Sequence, residues 1–473
     1  MTQAPAHELM AATTPNNSLW GLLNNAVTKT LFLAFMVAMV FLPGHTINMI
    51  LSEAFVLDIE VQEQWSSGGN AQRRIAFLSC AAIGMLSLLL GRGTRFRVNL
   101  PVILIGLYVL WTGASFLWSI DRPATVRRYI LLLCCVIGCF GFCRFVRVRD
   151  VVLAAVILTI GLLMLGVGCE IFFGKFVPHR GSYRFAGTVH PNIQAATLAI
   201  GCIASYTMTR VEPKWKLLFF GIFSFLFVFL VLTKCRSATL SVPVCLGIIW
   251  LAAQSSNKVF VGTFIGFWLI STAVMLCQVT GFDPIAEYEE ILLLGRKEET
   301  GESLTGRLPL WEDLMDYISV QPIQGYGFGA FWTPRHINDI AGSQQWVISE
   351  AHSSYFDCTL QLGVVGCFLM ASTAVTTLFY SAITFRRTMK PEYLFLVGGV
   401  AFCIVRGFTE SRINDPATCS TFLFMALAAH SWVPNSKSLD SQTSGISATS
   451  GAPTISTMIP PQAPNDQNSH RES

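Results

Sequence analysis

Apolar residues in this chain come in long blocks rather than in alternation with polar ones. Runs of about 20 residues with little charge recur along the sequence, and each is long enough to cross a bilayer as a helix. The blocks fall near 29–50, 75–91, 99–119, 129–145, 150–174, 191–209, 215–233, 237–254, 258–279, 354–384, 391–407 and 416–433. They predict an all-α polytopic membrane protein of about 12 transmembrane helices. The run at 354–384 exceeds one span, which predicts a tilted helix or an interfacial extension. The run at 29–43 follows a polar stretch and leads into more apolar sequence, so a retained span is expected there, not a cleaved signal peptide.

The polar intervals set the orientation. Arg92, Arg95 and Arg97 follow the second block, and Arg144, Arg147 and Arg149 follow the fourth. Arg210, Lys214 and Lys216 follow the sixth, and Arg386, Arg387 and Lys390 follow the tenth. With twelve spans all four clusters share one side, which the positive-inside bias makes cytoplasmic. Both termini are then cytoplasmic. The segments 51–74, 120–128, 175–190, 234–236, 280–353 and 408–415 face the periplasm. The loop at 280–353 is by far the longest, and long loops in compact domains usually carry function. Residues 434–473 are rich in Ser, Thr, Pro and Gln, and read as a disordered cytoplasmic tail. The chain thus divides into an N-terminal cytoplasmic segment (1–28), a membrane domain (29–433) and that tail.

Composition agrees with this division. The chain is 52% hydrophobic and 13% charged, whereas soluble domains carry about a quarter charged residues. The net charge of +4 sits in the clusters that encode topology, so no nucleic-acid partner is expected. Most of the 14 Cys lie within apolar runs, and no C-x-x-C occurs. Cys134, Cys135, Cys139 and Cys143 share one helical stripe, where free Cys behaves as a small buried hydrophobe rather than a metal or redox group.

Candidate chemistry gathers on the periplasmic side. In the long loop Leu308, Trp311, Leu314, Met315 and Ile318 recur at helical spacing and predict an amphipathic helix over roughly 307–320. Ser303 or Thr305 would cap it. Arg307 would then sit in the first turn, where the helix dipole disfavours a cation. A bound anion would reverse that preference, because free N–H groups and a guanidinium converge there; a solvent-facing Arg is the plainer alternative. Next comes Pro322-Ile323-Gln324-Gly325-Tyr326-Gly327-Phe328-Gly329-Ala330-Phe331-Trp332, whose rings suit either sugar faces or an aromatic belt at the interface. Glu350-Ala351-His352 leads into the tenth block, where His352 has the chemistry of a proton carrier and Glu350 that of its tuner. Pro191 fits the first position of a helix after His190 and before Asn192. Arg180, Arg184, Lys234 and Arg236 are basic on the side where the bias disfavours them, and such exceptions hint at function. Arg406 and Glu410 end the eleventh block.

As an ordered set these residues resemble the O-antigen ligase and polymerase superfamily. The resemblance rests on Phe185-x-Gly187 with His190-Pro191-Asn192, then Arg236-Ser237, then Thr305-Gly306-Arg307 with Trp311. Pro322-x-x-Gly325-x-Gly327, Ala351-His352 and Leu362-Gly363-x-x-Gly366 complete it. It covers about 180–370, and the Gly-Tyr-Gly-Phe-Gly-Ala-Phe-Trp form looks most like the exopolysaccharide polymerase branch. Many members have Asn after the His; here Ser353 follows.

The resemblance implies a GT-C-like glycosyltransferase architecture in the inner membrane, with the active site facing the periplasm. It also implies a donor glycan on undecaprenyl diphosphate, with no cofactor or metal. Arg236 and Arg307 would bind the diphosphate, with Arg180 and Arg184 as helpers, since a guanidinium fork grips phosphate oxygens in pairs. His352, with Glu350 in reserve, would take the acceptor's proton, a step worth roughly a hundredfold to ten-thousandfold. His190, Asn192, Lys234, Tyr326, Trp332, Arg406 and Glu410 would contact the glycan. Membrane lipids, a chain-length regulator and a flippase are the expected partners. The leading expectation is polymerisation of lipid-linked repeat units into exopolysaccharide. The alternatives are an O-antigen ligase acting on lipid A core and, in another class, a polysaccharide transporter. A metal-dependent reading would rest on Asp58-Ile59-Glu60, which resembles the acidic pair of metal-dependent lipid-donor enzymes.

Overall fold

The computed structural model describes residues 71–90, 100–143, 146–181, 183–254, 304–344 and 350–411, with single positions at 258 and 348. The expected spans at 29–50, 258–279 and 416–433 lie outside these residues, as do Asp58, Glu60, Ser303 and the tail. Among the described residues the regular structure is helical throughout. In chain order the helices are α1 (Ala71–Leu90), α2 (Leu100–Ala114), α3 (Arg122–Phe142), α4 (Val148–Phe172) and α5 (Pro191–Val211). They continue with α6 (Lys216–Leu232), α7 (Arg236–Ala253), α8 (Leu304–Val320), α9 (Pro334–Gln344), α10 (Ser354–Thr388) and α11 (Tyr393–Gly407).

A helix stands at each of the nine apolar blocks that the described residues include. Six helical stretches are long and apolar enough to cross a membrane: 100–117, 122–141, 148–172, 213–232, 236–253 and 354–388. α1 and α11 are apolar but shorter by the same measure. This is the architecture of a multi-pass membrane protein.

The helices divide by what their faces meet. α6 is rich in Phe and Leu, and Leu217, Leu218, Phe220, Phe225 and Val228 are exposed, as suits a lipid-facing surface. α5 is the opposite. It packs against α4, α6, α7 and α11, and buries Gln194, Ala195, Leu198, Gly201, Ser205 and Thr207 along its length. Small residues let helix backbones approach where no hydrophobic drive separates helix from lipid. The contact of α1 with α3 uses the same device. A Cβ added at Gly84 would lie 2.6 Å from the Gly138 Cα, so neither position has room for a side chain.

The long run at 354–384 is neither simply tilted nor simply extended. α10 is broken at Gly363, whose φ of 67° and ψ of −175° interrupt the helix. The break withdraws the usual intrahelical partners from carbonyls just before it. In a low-dielectric setting such groups must be satisfied from elsewhere. Tyr326 N donates to Leu360 O (2.9 Å), Gly327 N to Gln361 O (2.9 Å) and Trp111 Nε1 to Leu362 O (2.9 Å). On the far side Val364 N donates to Pro322 O (2.8 Å). The glycine-rich motif of the long loop is thus a main-chain plug seated in the broken helix. Gly325 has φ of 65°, and a Cβ there would lie 2.6 Å from the Gln361 carbonyl carbon, so side chains are excluded by both backbone angle and space.

Candidate functional site

Three sequence-distant segments converge on residues 406–411, at and just beyond the end of α11, and a fourth joins them through Arg184. The first is the start of α5. His190 is its N-cap, Pro191 takes the first helical position, and His190 Nδ1 accepts from Asn192 N (3.3 Å). The cap fixes Asn192, which is used on three sides. Its Oδ1 accepts from Arg184 Nη2 (3.1 Å), and its Nδ2 donates to Glu410 Oε1 (3.4 Å). Its main-chain carbonyl accepts from Arg406 Nη2 (2.6 Å).

The second segment is the turn joining α6 to α7. Thr233 O accepts from Arg184 Nε (3.2 Å), which brings this turn beside the 183–190 loop. Lys234 has a left-handed backbone (φ 54°), and its Nζ donates to Gly181 O. Arg236 heads α7 and is half-buried. The loop itself is anchored by Glu170 near the end of α4, which accepts from Ala186 N (2.9 Å), Gly187 N (2.7 Å) and the Tyr183 hydroxyl. Burial, and then the bond to Glu170, push the Tyr183 hydroxyl well above its ordinary pKa, so it stays a donor. Arg180 is exposed in the same loop, outside this network.

The third segment is α8, which starts at Leu304, slightly earlier than its periodicity predicts. Leu310, Leu314 and Ile318 are buried on its inner face, whereas Met315, assigned to that face by spacing, is 52% exposed. Arg307 is in the first turn, as expected, but it does not face solvent. It is 6% exposed, and its Nη1 donates to Thr409 O (2.6 Å).

The fourth segment is the approach to α10. His352 takes a left-handed backbone (φ 50°), rare for a residue with a side chain, and its Nδ1 lies 3.4 Å from Glu350 Oε1. Ser353 N donates to Ser411 Oγ (3.0 Å), and Ser353 Oγ to Gly407 O (3.4 Å). Ser354 Oγ donates to Glu410 O (2.6 Å). Ser353, the residue after His352, is therefore bonded to the end of α11 and to the residues that follow it.

Two members of this cluster are electrically unusual. Arg406 is 5% exposed, and among the described residues no acceptor meets its Nε or Nη1. Arg307 Nε is in the same position. A buried donor without an acceptor costs about 1–3 kcal/mol, more when charged. Two such groups on one hub form a site whose donors suit a polyanion.

The aromatic motif does something other than offer open rings. Tyr326 is 7% exposed; its ring packs edge-on to Phe331 and His336, and its hydroxyl donates to Tyr317 O (2.9 Å). Trp332 Nε1 donates to Asp357 Oδ1 (2.7 Å), a carboxylate in the first turn of α10 that is not among the expected site residues. Thr409 and Ser411 are inconspicuous in sequence. A short polar run after an apolar block is the one signal that pointed near them. Cys134, Cys135, Cys139 and Cys143 are buried and outside any disulfide among the described residues.

Comparison with known proteins bears on this cluster. Residues 221–371, which include Arg236, Arg307 and His352, match the family model described as O-antigen ligase. The exopolysaccharide production protein ExoQ of Rhizobium meliloti is 26% identical over 141 residues, 28% of this chain and 32% of that protein. An uncharacterised protein of Haemophilus influenzae is 25% identical over 278 residues, 55% of this chain and 66% of that protein. The matches thus span from about a third to just under two thirds of these relatives. Residues 221–371, about a third of the chain, resemble the O-antigen ligase family and are set in a multi-pass helical membrane protein.

Proposed function

We propose that this protein polymerises oligosaccharide repeat units carried on undecaprenyl diphosphate, at the periplasmic face of the inner membrane. The observation that carries the reading is the pair of buried guanidinium groups, Arg307 and Arg406, with N–H donors left over after their bonds to Thr409 O and Asn192 O. Arg184 reaches them through Asn192, and Arg236 would be a further guanidinium for the diphosphate. A lipid diphosphate is a good leaving group once its growing charge is neutralised, and arginine forks stay charged while doing so. Glycosyl transfer passes through an oxocarbenium-like state. His352 Nε2 would take the acceptor hydroxyl's proton, with Glu350 lying against Nδ1. Asn192 and Glu410 would hold the glycan and the guanidinium groups in register. Exopolysaccharide as the product is supported by the likeness to ExoQ.

The family description favours a second reading, transfer of finished glycan to a lipid A core by the same donor chemistry. Purified protein given the repeat-unit donor alone separates the two. A ladder of lengthening products is expected; product formation only when a core acceptor is added would establish the ligase. Transport is a third reading, and the broken α10 is the feature that favours it, since transporters use discontinuous helices. Here the plug of residues 322–327 meets the freed carbonyls. Glycan crossing liposomes without a new glycosidic bond would establish transport.

A further inference from the structure

We infer that Asp357 and Ser411 are positioning residues that clamp the main chain on both sides of His352; the inference rests on the proposed role of His352 as base. Asp357 is buried, at 3% exposed. Its Oδ2 accepts from Ala351 N (3.2 Å), the peptide immediately before His352. The Ser411 hydroxyl also bonds this carboxylate, and Ser411 Oγ accepts from Ser353 N (3.0 Å), the peptide immediately after His352. One carboxylate therefore fixes the donors at both flanks, directly on one side and through a hydroxyl on the other. Trp311 Nε1 adds a third hold on Ala351 O (2.9 Å).

The clamp explains the backbone of His352. A left-handed conformation costs roughly 1–2 kcal/mol for a residue with a Cβ and persists where surroundings over-determine it. Here Asp357, Ser411 and Trp311 over-determine it. The result is an imidazole whose main chain is held fast beside the 407–411 hub, with Glu350 against one ring nitrogen. The third bond to the Asp357 carboxylate comes from Trp332 Nε1 (2.7 Å). The long loop is thereby joined to the same carboxylate, so a displaced loop would loosen the residue assigned to proton transfer.

The test uses the full chain in vesicles, repeat-unit donor extracted from its host, and undecaprenyl diphosphate as the binding probe. Ser411→Ala is expected to lower turnover about ten- to a hundredfold, as a small misplacement of a reacting group does. Undecaprenyl diphosphate should bind as it does to the parent. Ser411→Thr, which keeps a hydroxyl, should restore turnover. Asp357→Asn, which cannot accept from every present donor, should fall as Ser411→Ala does. The double variant His352→Ala with Ser411→Ala should lose no more than His352→Ala alone. A double variant well below His352→Ala, or loss of probe binding with Ser411→Ala, would mean a general structural role and overturn the proposal. An inactive His352→Ala beside fully active Ser411→Ala and Asp357→Asn would overturn it too, while leaving the proposed function standing. His352→Ala turning over at the parent rate would instead remove the proposed function itself.

Discussion

At the scale of single residues, Arg307 and Arg406 carry the most weight, and their effects on stability and on activity should part company. Each guanidinium is buried with donors unmet among the described residues. Replacing such a group by an apolar side chain of similar volume is often neutral or stabilising by about 1–4 kcal/mol. Arg406→Met should therefore leave thermal unfolding in detergent unchanged or raise it, while donor turnover drops by at least about a hundredfold. A variant that loses both together would mark Arg406 as structural. Arg307→Lys keeps the charge but not the fork, and should bind undecaprenyl diphosphate more weakly than the parent. Arg184, Arg236, Arg307 and His352 are legible in the sequence because each breaks a local rule: a cation on the side that the positive-inside reading disfavours, or an ionisable ring at the mouth of a span. Thr409 and Ser411 break none, whereas Asp357, a carboxylate in the first turn of the tenth apolar block, is a signal of its own. Thr409 acts through a main-chain carbonyl, which every residue has, and the other two acquire their role only when α10 and the end of α11 meet.

At the scale of elements, the break at Gly363 changes what the glycine-rich motif is for. Its rings read as a platform for sugar, yet the motif's main chain fills the gap in α10 and Tyr326 packs inward. Period and composition cannot distinguish these outcomes, because ring faces and backbone donors come from the same residues. The boundary of α8 and the exposure of Met315 differ from periodicity for a related reason: the face a helix buries is decided by its partner, here α10. Gly363→Ala should be severe. A side chain at that φ costs about 1–3 kcal/mol in strain, and the new Cβ would meet the Ile323 carbonyl. Lower accumulation in membranes, together with faster proteolysis near 322–329, is the expected result. Substituting Gly221, around which no atom would meet a Cβ, by Ala is the control and should be silent.

At the scale of the whole molecule, hydropathy found a helix at every block the structure describes, and the basic clusters supply an orientation that can be measured. Single Cys residues placed at 122, 180 and 408 in a background without native Cys should react with a membrane-impermeant maleimide from outside. Residues 214 and 387 should react only after the membrane is opened. Labelling in the reverse order would invert the site. α5 adds one consequence for biogenesis. At 21 residues it is long enough to span, yet it is not among the stretches apolar enough to do so unaided. Its buried Gln, Ser and Thr suit a place between neighbours and make poor cargo for lateral release into lipid. The translocon should therefore retain α5 until the strongly apolar α6 emerges to accompany it. In ribosome-bound chains long enough to expose α5 alone, this helix should crosslink to the translocon; in chains long enough to expose α6 as well, it should no longer do so.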